Sequence, residues 1–165
     1  MRHVPILACV LSLAILSTSS WADADPLEQG QPRFAVTAAA GSAFQNDYFV
    51  LGGGFGFFVV DGLDLGIESE VWMGHDPTIS KLGPSATYMF HFIETYPPYV
   101  GLFYAHWFIS NDMVDADTLG VRAGCFYVHS DAFYVGLGLA FEHLVSDCAE
   151  DCYQFYPELT IRSAF

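Results

Sequence analysis

The stretch YQFYPELTIRSAF, residues 153–165, alternates two kinds of side chain with a period of two. The first set is mostly apolar and ends on an aromatic residue: Tyr153, Phe155, Pro157, Leu159, Ile161, Ser163 and Phe165. The second set is mostly polar or charged: Gln154, Tyr156, Glu158, Thr160, Arg162 and Ala164. A period of two is the side-chain period of a β-strand. Because one face suits lipid and the other a polar interior, the stretch predicts a strand of a transmembrane barrel.

The other end of the chain has the features of a secretory signal peptide. Arg2 and His3 precede an apolar core at residues 4–16, and a polar run of small residues follows at 17–22. This order is typical of a cleaved leader, and we predict cleavage after Ala22 or, alternatively, after Ala24. A membrane anchor would need about 20 apolar residues, and this core is shorter. Residues 1–22 are therefore assigned to the leader.

Residues 23–165 are sufficient for one domain of ordinary size. Apolar side chains make up 53% of the whole chain and aromatic ones 16%. Glycine, proline and charged residues nevertheless recur too often for any stretch to span a bilayer as a helix. Every backbone group inside hydrocarbon needs an internal partner, so a closed β-barrel is the fold that reconciles these features. We predict a short periplasmic segment at 23–32 and the barrel at 33–165.

Turn-forming residues divide the barrel region into eight candidate strands. We predict them at residues 33–44, 48–60, 63–74, 81–93, 99–109, 118–128, 132–144 and 156–165. Each reaches the roughly 9–11 residues that a tilted membrane strand requires. Tight links alternate with longer ones, and tight turns of small bacterial barrels lie in the periplasm. The sequence thus predicts an all-β, closed, eight-stranded antiparallel up-and-down transmembrane barrel with both termini periplasmic.

Charged residues indicate which face of each strand points into the barrel. If Arg122 or Arg162 faced lipid near the bilayer centre, each would cost about 2–4 kcal/mol. A secreted barrel with an apolar interior would show the opposite arrangement. The fifth strand is the exception, because both of its faces are apolar and its facing stays open. We predict a charge network inside the barrel, the lumen: Glu68, Glu70, Lys81, His91, Arg122, Glu142, Glu158 and Arg162.

The chemistry of this network is expected to be structural. Buried charges need partners, so Arg122 and Arg162 should bridge some of the four glutamates of the network. Glu68 and Glu70 could do acid–base work together, but such pairs are common in packed interiors. An eight-stranded barrel is just wide enough for its side chains to fill, so a wide aqueous pore is not expected. A narrow or gated path remains the alternative.

The chain resembles the small bacterial outer-membrane barrels of the OmpA, OmpX and OmpW type. The resemblance rests on the leader, the eight alternating strands, the strand opening Pro98-Tyr99-Val100-Gly101 and the terminal run LTIRSAF, residues 159–165. It implies the outer membrane of a Gram-negative bacterium as location. It also implies delivery by periplasmic chaperones and folding by the barrel assembly machinery, with Leu159, Ile161 and Phe165 as the assembly signal. It does not imply one function, because such barrels serve as anchors, adhesins, channels and enzymes.

Three cysteines remain once the leader is removed. Cys148 and Cys152 lie close together in the last predicted external loop, and an exported protein meets an oxidising compartment. We predict that they form a disulfide. A metal site is the rival interpretation, but two thiols without a second pair or a nearby histidine indicate it only weakly. Cys125 is expected to face lipid.

The net charge of the chain limits the classes of partner that it is expected to bind. Loss of Arg2 with the leader takes the formal net charge from −14 to −15, which excludes nucleic acid as a partner. Much of the excess lies in the predicted loops: Asp47, Asp76, Asp112, Asp115, Asp117, Asp147, Glu150 and Asp151. We therefore expect a structural or surface-interaction protein that contacts outer-membrane lipids, lipopolysaccharide and an extracellular ligand, with no cofactor or metal.

Two alternatives stay open, a narrow solute channel and an outer-leaflet enzyme that modifies lipid A. Enzyme candidates at the predicted external rim are three neighbouring pairs: His75 with Asp76, His106 with Ser110, and His143 with Ser146. Deacylating barrels of this kind place a serine two residues after the histidine, and none of these pairs does so. A non-enzymatic protein is the expectation.

Overall fold

The structure is a computed structural model that describes residues 27–43, 45–93, 95–111, 114–130, 133–146 and 152–164. It contains eight strands: β1 (Pro32–Ala43), β2 (Asn46–Val60), β3 (Leu63–Met73), β4 (Ile79–Met89), β5 (Pro98–Ile109), β6 (Ala116–Ser130), β7 (Phe133–Leu144) and β8 (Tyr153–Ala164). Within those ranges no helix is long and apolar enough to cross a membrane. The predicted leader, Cys148 and Phe165 lie outside the described residues.

Each strand pairs antiparallel with its neighbour in sequence, and β1 pairs with β8 to close the sheet. Closure leaves no unpaired sheet edge, which a backbone surrounded by hydrocarbon could not tolerate. The predicted eight-stranded closed barrel is confirmed. We call one rim the terminal end, because β1 begins and β8 ends there. The opposite rim, which carries the connections at 74–78, 110–115 and 145–152, is the loop end.

Side chains alternate between lumen and exterior along every strand. Large apolar residues of the barrel wall, such as Ile67, Leu102 and Leu137, are 60% or more exposed. All Lys and Arg residues of the described chain point inward and are at most 4% exposed: Arg33, Lys81, Arg122 and Arg162. The described barrel is therefore apolar outside and charged inside.

The structure also determines the facing of β5, which the sequence left open. Tyr99, Phe103 and Trp107 are buried in the lumen, whereas Leu102 and Phe108 are exposed. The neighbouring strands provide the reason. Trp107 stands opposite Lys81 on β4, and Gly101 stands opposite Arg122 on β6. Paired residues in a sheet share a face, so the charges on the neighbours fix which face of β5 points inward.

Two apolar clusters fill the ends of the lumen. The cluster of the loop end is built around Tyr48, Trp72, Trp107 and Tyr156, and the Trp72 and Tyr156 rings meet edge to face at 5.4 Å. The cluster of the terminal end comprises Leu27, Phe58, Met89, Tyr99, Phe126, Tyr134 and Ala164. Leu27 precedes β1, and its carbonyl accepts a hydrogen bond from Gly62 N at 2.9 Å. The segment before β1 thus folds back over the terminal end.

Glycines give these rings their space. A Cβ atom on Gly120 would lie 2.2 Å from the Phe103 ring, and one on Gly136 would lie 2.4 Å from Phe126. Distances of this size are steric clashes. These inward glycines therefore leave room for large side chains from neighbouring strands.

Candidate functional site

The lumen holds the densest group of charged side chains in the described chain. Five carboxylates lie in the lumen with the four basic residues: Asp64, Glu68, Glu70, Glu142 and Glu158. Strand β3 supplies three of them at alternate positions, so Asp64, Glu68 and Glu70 follow one another from the terminal end towards the loop end. Trp72 continues the same row into the apolar cluster of the loop end.

A fully buried ion-pair group surrounds Asp64 near the terminal end. Arg33 Nε lies 2.6 Å from Asp64 Oδ2, and Arg162 Nη1 lies 3.6 Å from the same oxygen. All three side chains are at most 1% exposed. Sequence reasoning missed Asp64 because it stands next to the turn at 61–62. Asp64 nevertheless lies four residues before Glu68, which is two periods of a strand. The alternation of side chains therefore indicates that Asp64, like Glu68, faces the lumen.

Arg122 connects two carboxylates in the middle of the lumen. Its Nη2 lies 2.8 Å from Glu68 Oε2, and its Nη1 lies 3.8 Å from Glu158 Oε2. Ser85 donates a hydrogen bond to Glu68 at 3.1 Å, and Tyr99 donates one to Glu158 at 3.0 Å. Arg122 therefore bridges Glu68 and Glu158, as expected. The hydroxyl groups of Ser85 and Tyr99 donate hydrogen bonds to the same two carboxylates.

Lys81 and Glu142 form a separate pair towards the loop end. Lys81 Nζ lies 2.5 Å from Glu142 Oε2, at 3.9 Å from the centroid of the Trp72 ring and 4.0 Å from that of Trp107. An ammonium group over indole rings is stabilised by the negative face of each ring. Glu70 makes a hydrogen bond instead of an ion pair, since it accepts one from Trp72 Nε1 at 3.1 Å. No ion pair joins Glu70 to a basic residue within the described chain.

Two predictions about the network need correction. Arg162 contacts Asp64 rather than any of the four predicted glutamates. His91 lies outside the network, because β4 ends at Met89 and the His91 side chain is exposed. Phe90 N donates a hydrogen bond to the carbonyl of Pro98, which is the last rung of the β4–β5 pairing, and residues 91–93 lie in the connection beyond it.

The charged region of the described lumen contains a very small cavity. A cavity of about 20 Å³ lies among Glu68, Glu70, Lys81, Arg122 and Glu142. A volume of this size accommodates about one water molecule. Within the described ranges, no three His, Cys, Asp or Glu residues are arranged to hold a metal ion. A solute molecule would not fit into this cavity without movement of the side chains that line it.

The rim of the loop end carries the histidines that were considered for catalysis. His106 Nδ1 lies 2.8 Å from Asp117 Oδ1, which also accepts a hydrogen bond from Tyr104 at 2.5 Å. The predicted serine partners are engaged elsewhere: Ser110 accepts a hydrogen bond from Thr78 N at 2.9 Å, and Ser146 accepts one from Asp117 N at 3.1 Å. The structure thus shows a histidine–carboxylate pair at His106 but no bond from His106 to either serine.

The other two rim histidines have different surroundings. His75 Nδ1 lies 2.7 Å from the carbonyl oxygen of Asp47, and the ring of His143 packs on that of Tyr153 at 4.7 Å. Four of the predicted loop acids fall within the described residues and lie at the surface: Asp47, Asp76, Asp115 and Asp117. The other four lie outside the described residues, as does one partner of the predicted Cys148–Cys152 disulfide, which stays a prediction.

No protein-family model matches the chain, and no curated protein matches it either. Solved structures do match. The N-terminal β-barrel domain of Pseudomonas aeruginosa OprF has a TM-score of 0.67 at 18% identity, over 83% of this chain and 98% of that one. Neisserial surface protein A (NspA) has a TM-score of 0.63 at 15% identity, over 82% of this chain and 96% of that one.

The outer membrane enzyme PagL also matches, with a TM-score of 0.50 at 14% identity, over 78% of this chain and 97% of that one. Sequence identities at this level show a shared fold and are no evidence for a shared activity. The matched proteins include an enzyme and a surface protein, so the likeness does not select a function. The chain has the fold of the small eight-stranded outer-membrane β-barrels.

Proposed function

We propose that this protein is an integral outer-membrane barrel of a Gram-negative bacterium with a lumen sealed by its own side chains. It would act as a structural or surface-interaction protein, with its acidic loops outside the cell and both termini in the periplasm. The filled lumen carries this proposal. Nine charged side chains and two apolar clusters occupy the interior, and the charged region retains a cavity of about 20 Å³.

The outer face of the wall supports the membrane location. Large apolar side chains on all eight strands are exposed, including Val36, Phe55, Ile67, Leu102 and Leu137. A soluble protein rarely exposes a continuous apolar surface of this extent, whereas a barrel in lipid requires one. Outer-membrane lipids and lipopolysaccharide are the partners that fit this surface.

The charge distribution supports a role for the rims. No Lys or Arg of the described chain lies outside the lumen, while Asp47, Asp76, Asp115 and Asp117 lie at the surface of the loop end. The surface at this rim is therefore negative without compensating basic side chains. It would attract a cationic extracellular ligand and repel nucleic acid.

Conductance across planar bilayers tests the sealed lumen. The refolded barrel, whose insertion is verified by protease protection, should give no discrete current steps. A Lys81→Ala, Glu142→Ala double variant serves as control, since it removes both members of the pair at the loop end and widens that half of the lumen. Reproducible steps from the unmodified protein would contradict the sealed lumen and favour the narrow channel.

One observation favours the enzyme as a second candidate. His106 and Asp117 form a hydrogen-bonded pair on the outer side of the wall, and such a carboxylate orients an imidazole for proton transfer. The test is incubation of the protein with lipopolysaccharide, followed by mass analysis of its acyl chains. The sealed structural barrel leaves the chains unchanged. Loss or gain of a chain that depends on His106, but not on His143, would establish the enzyme instead.

The assembly signal is a further part of the proposal. Leu159 and Ile161 lie on the exterior face of β8, each 39% exposed, and Phe165 lies outside the described residues. The assembly machinery would recognise this row of aliphatic and aromatic side chains on the exterior face of the last strand before the barrel closes. Phe165→Ala should lower the amount of folded barrel in the outer membrane without changing the stability of the molecules that do fold.

A further inference from the structure

The cavity in the lumen is bordered by groups that need additional hydrogen-bond partners. Glu142 Oε1 and Arg122 Nε make no hydrogen bond to any described residue, although both side chains are at least 96% buried. Glu70 borders the same cavity, and its side chain accepts a hydrogen bond from the Trp72 indole. A buried carboxylate oxygen or guanidinium N–H without a partner is destabilising, because it loses its hydrogen bonds to water and gains none in return.

We infer that this cavity is a binding site for one water molecule, which bridges Glu142, Arg122 and Glu70. A water needs about 10–15 Å³ of such space and two to four polar partners, and the cavity offers about 20 Å³ and three. The water would donate one hydrogen bond to Glu142 and one to Glu70, and it would accept one from Arg122 Nε. Glu142 Oε1 and Arg122 Nε then gain a partner that the described residues do not supply, and Glu70 gains a hydrogen bond in addition to the one from Trp72.

The lining of the cavity selects water over a cation. Lys81 and Arg122 border it, so a metal ion would meet two positive charges at short range. No three described carboxylate, imidazole or thiol groups are arranged for metal binding. A neutral molecule that both donates and accepts hydrogen bonds fits the mixed set of carboxylates and cations better than any ion.

This water would join two parts of the network that the protein leaves separate. Lys81 and Glu142 form one pair, and Arg122 with Glu68 and Glu158 forms another group. A bridging water links Glu142 to Arg122 and so makes the central and loop-end charges continuous. The site goes beyond the proposed function, since a sealed barrel needs neutralised charges but not this particular connection.

A crystal structure at a resolution that shows ordered water tests the site. We expect one density peak about 2.7–3.2 Å from Glu142 Oε1, Arg122 Nε and a Glu70 oxygen. Density that is absent in a well-ordered lumen would overturn the inference, and so would a peak with the short, all-oxygen coordination of a cation. Conductance is unaffected by either result, so the failure of the site and the failure of the sealed lumen are distinguishable.

Oxygen-17 magnetic relaxation dispersion in detergent micelles gives a second readout, because it counts long-lived internal waters. Ala105→Val should lower the count by one, since Ala105 borders the cavity and the added methyl groups fill it. Ala39→Val is the matched control, as Ala39 is equally buried in the lumen but does not border the cavity. An equal count for Ala105→Val and the unmodified protein contradicts the site.

Discussion

Charged side chains are arranged in opposite ways in the lumen and at the rim of the loop end. In the lumen, the four basic residues form ion pairs with four of the five carboxylates, and the paired side chains are at most 15% exposed. At the rim, acidic residues stand at the surface without any described Lys or Arg beside them. Buried charges must be paired to avoid a desolvation cost of several kcal/mol, whereas solvated ones need no partner. The lumen charges therefore maintain the fold, and the rim charges are available for contacts.

The strongest test of this contrast is Asp64→Ala. It leaves Arg33 and Arg162 buried without their shared carboxylate, and the loss of one partner of a buried pair costs about 3–5 kcal/mol. We expect the free energy of unfolding in lipid vesicles, measured by urea titration with tryptophan fluorescence, to fall by about this amount. Asp47→Ala at the rim is the control and should change it by about 0.5 kcal/mol or less. Equal effects would contradict the contrast.

A charge on the outer wall sharpens the comparison further. Leu102 lies near the middle of β5 and is 60% exposed on the exterior. Leu102→Arg should lower the free energy of unfolding by about 2–4 kcal/mol, because the guanidinium would enter hydrocarbon near the bilayer centre. Leu102→Met is the control, since it retains an apolar side chain. A stability that is unchanged by the arginine would mean that this face does not contact lipid.

Lys81 and Glu142 test whether the lumen charges act as pairs. Lys81→Met and Glu142→Met should each destabilise the barrel, and the double variant should cost less than the sum, with a coupling energy of about 0.5–3 kcal/mol. The reason is that each single variant leaves one buried charge without its partner. Strict additivity in the same urea titration would show that the two side chains do not depend on each other.

The smallest effect on stability is expected at the rim itself. Replacement of Asp47, Asp76 and Asp115 by Asn should change the free energy of unfolding by about 0.5 kcal/mol or less. It should nevertheless weaken the binding of a cationic probe, poly-lysine, to vesicles that contain the barrel. Unchanged poly-lysine binding would contradict the proposal that this rim is an interaction surface.

The sequence predicted the architecture because the alternation of apolar and charged residues is local information. The inward positions of Arg122 and Glu142 follow from a period of two, the strand number from the turn-forming residues, and closure from the need of every backbone group in hydrocarbon for a partner. The facing of β5 could not be predicted, since Tyr99, Phe103 and Trp107 are as apolar as the residues that face outward. Only the pairing with charged neighbours on β4 and β6 decides it.

The partners inside the lumen could not be predicted for a related reason. Which carboxylate meets which cation depends on the register between strands that are far apart in sequence, such as Arg33 on β1 and Asp64 on β3. Strand ends are set by turn geometry, so His91 was wrongly extended into the network from β4. The Trp72 and Trp107 rings around Lys81 likewise become visible only when three strands are brought together.

Spin-label accessibility along β5 tests the central claim most directly. Nitroxide labels would be placed one at a time at residues 99–107 of the barrel in lipid bilayers, and collision rates with dissolved oxygen would be measured. Oxygen concentrates in lipid, so we predict high rates at Val100, Leu102 and Tyr104 and low rates at Tyr99, Gly101 and Phe103. The opposite alternation, or rates without a period of two, would contradict a barrel with its charges enclosed and its apolar face in lipid.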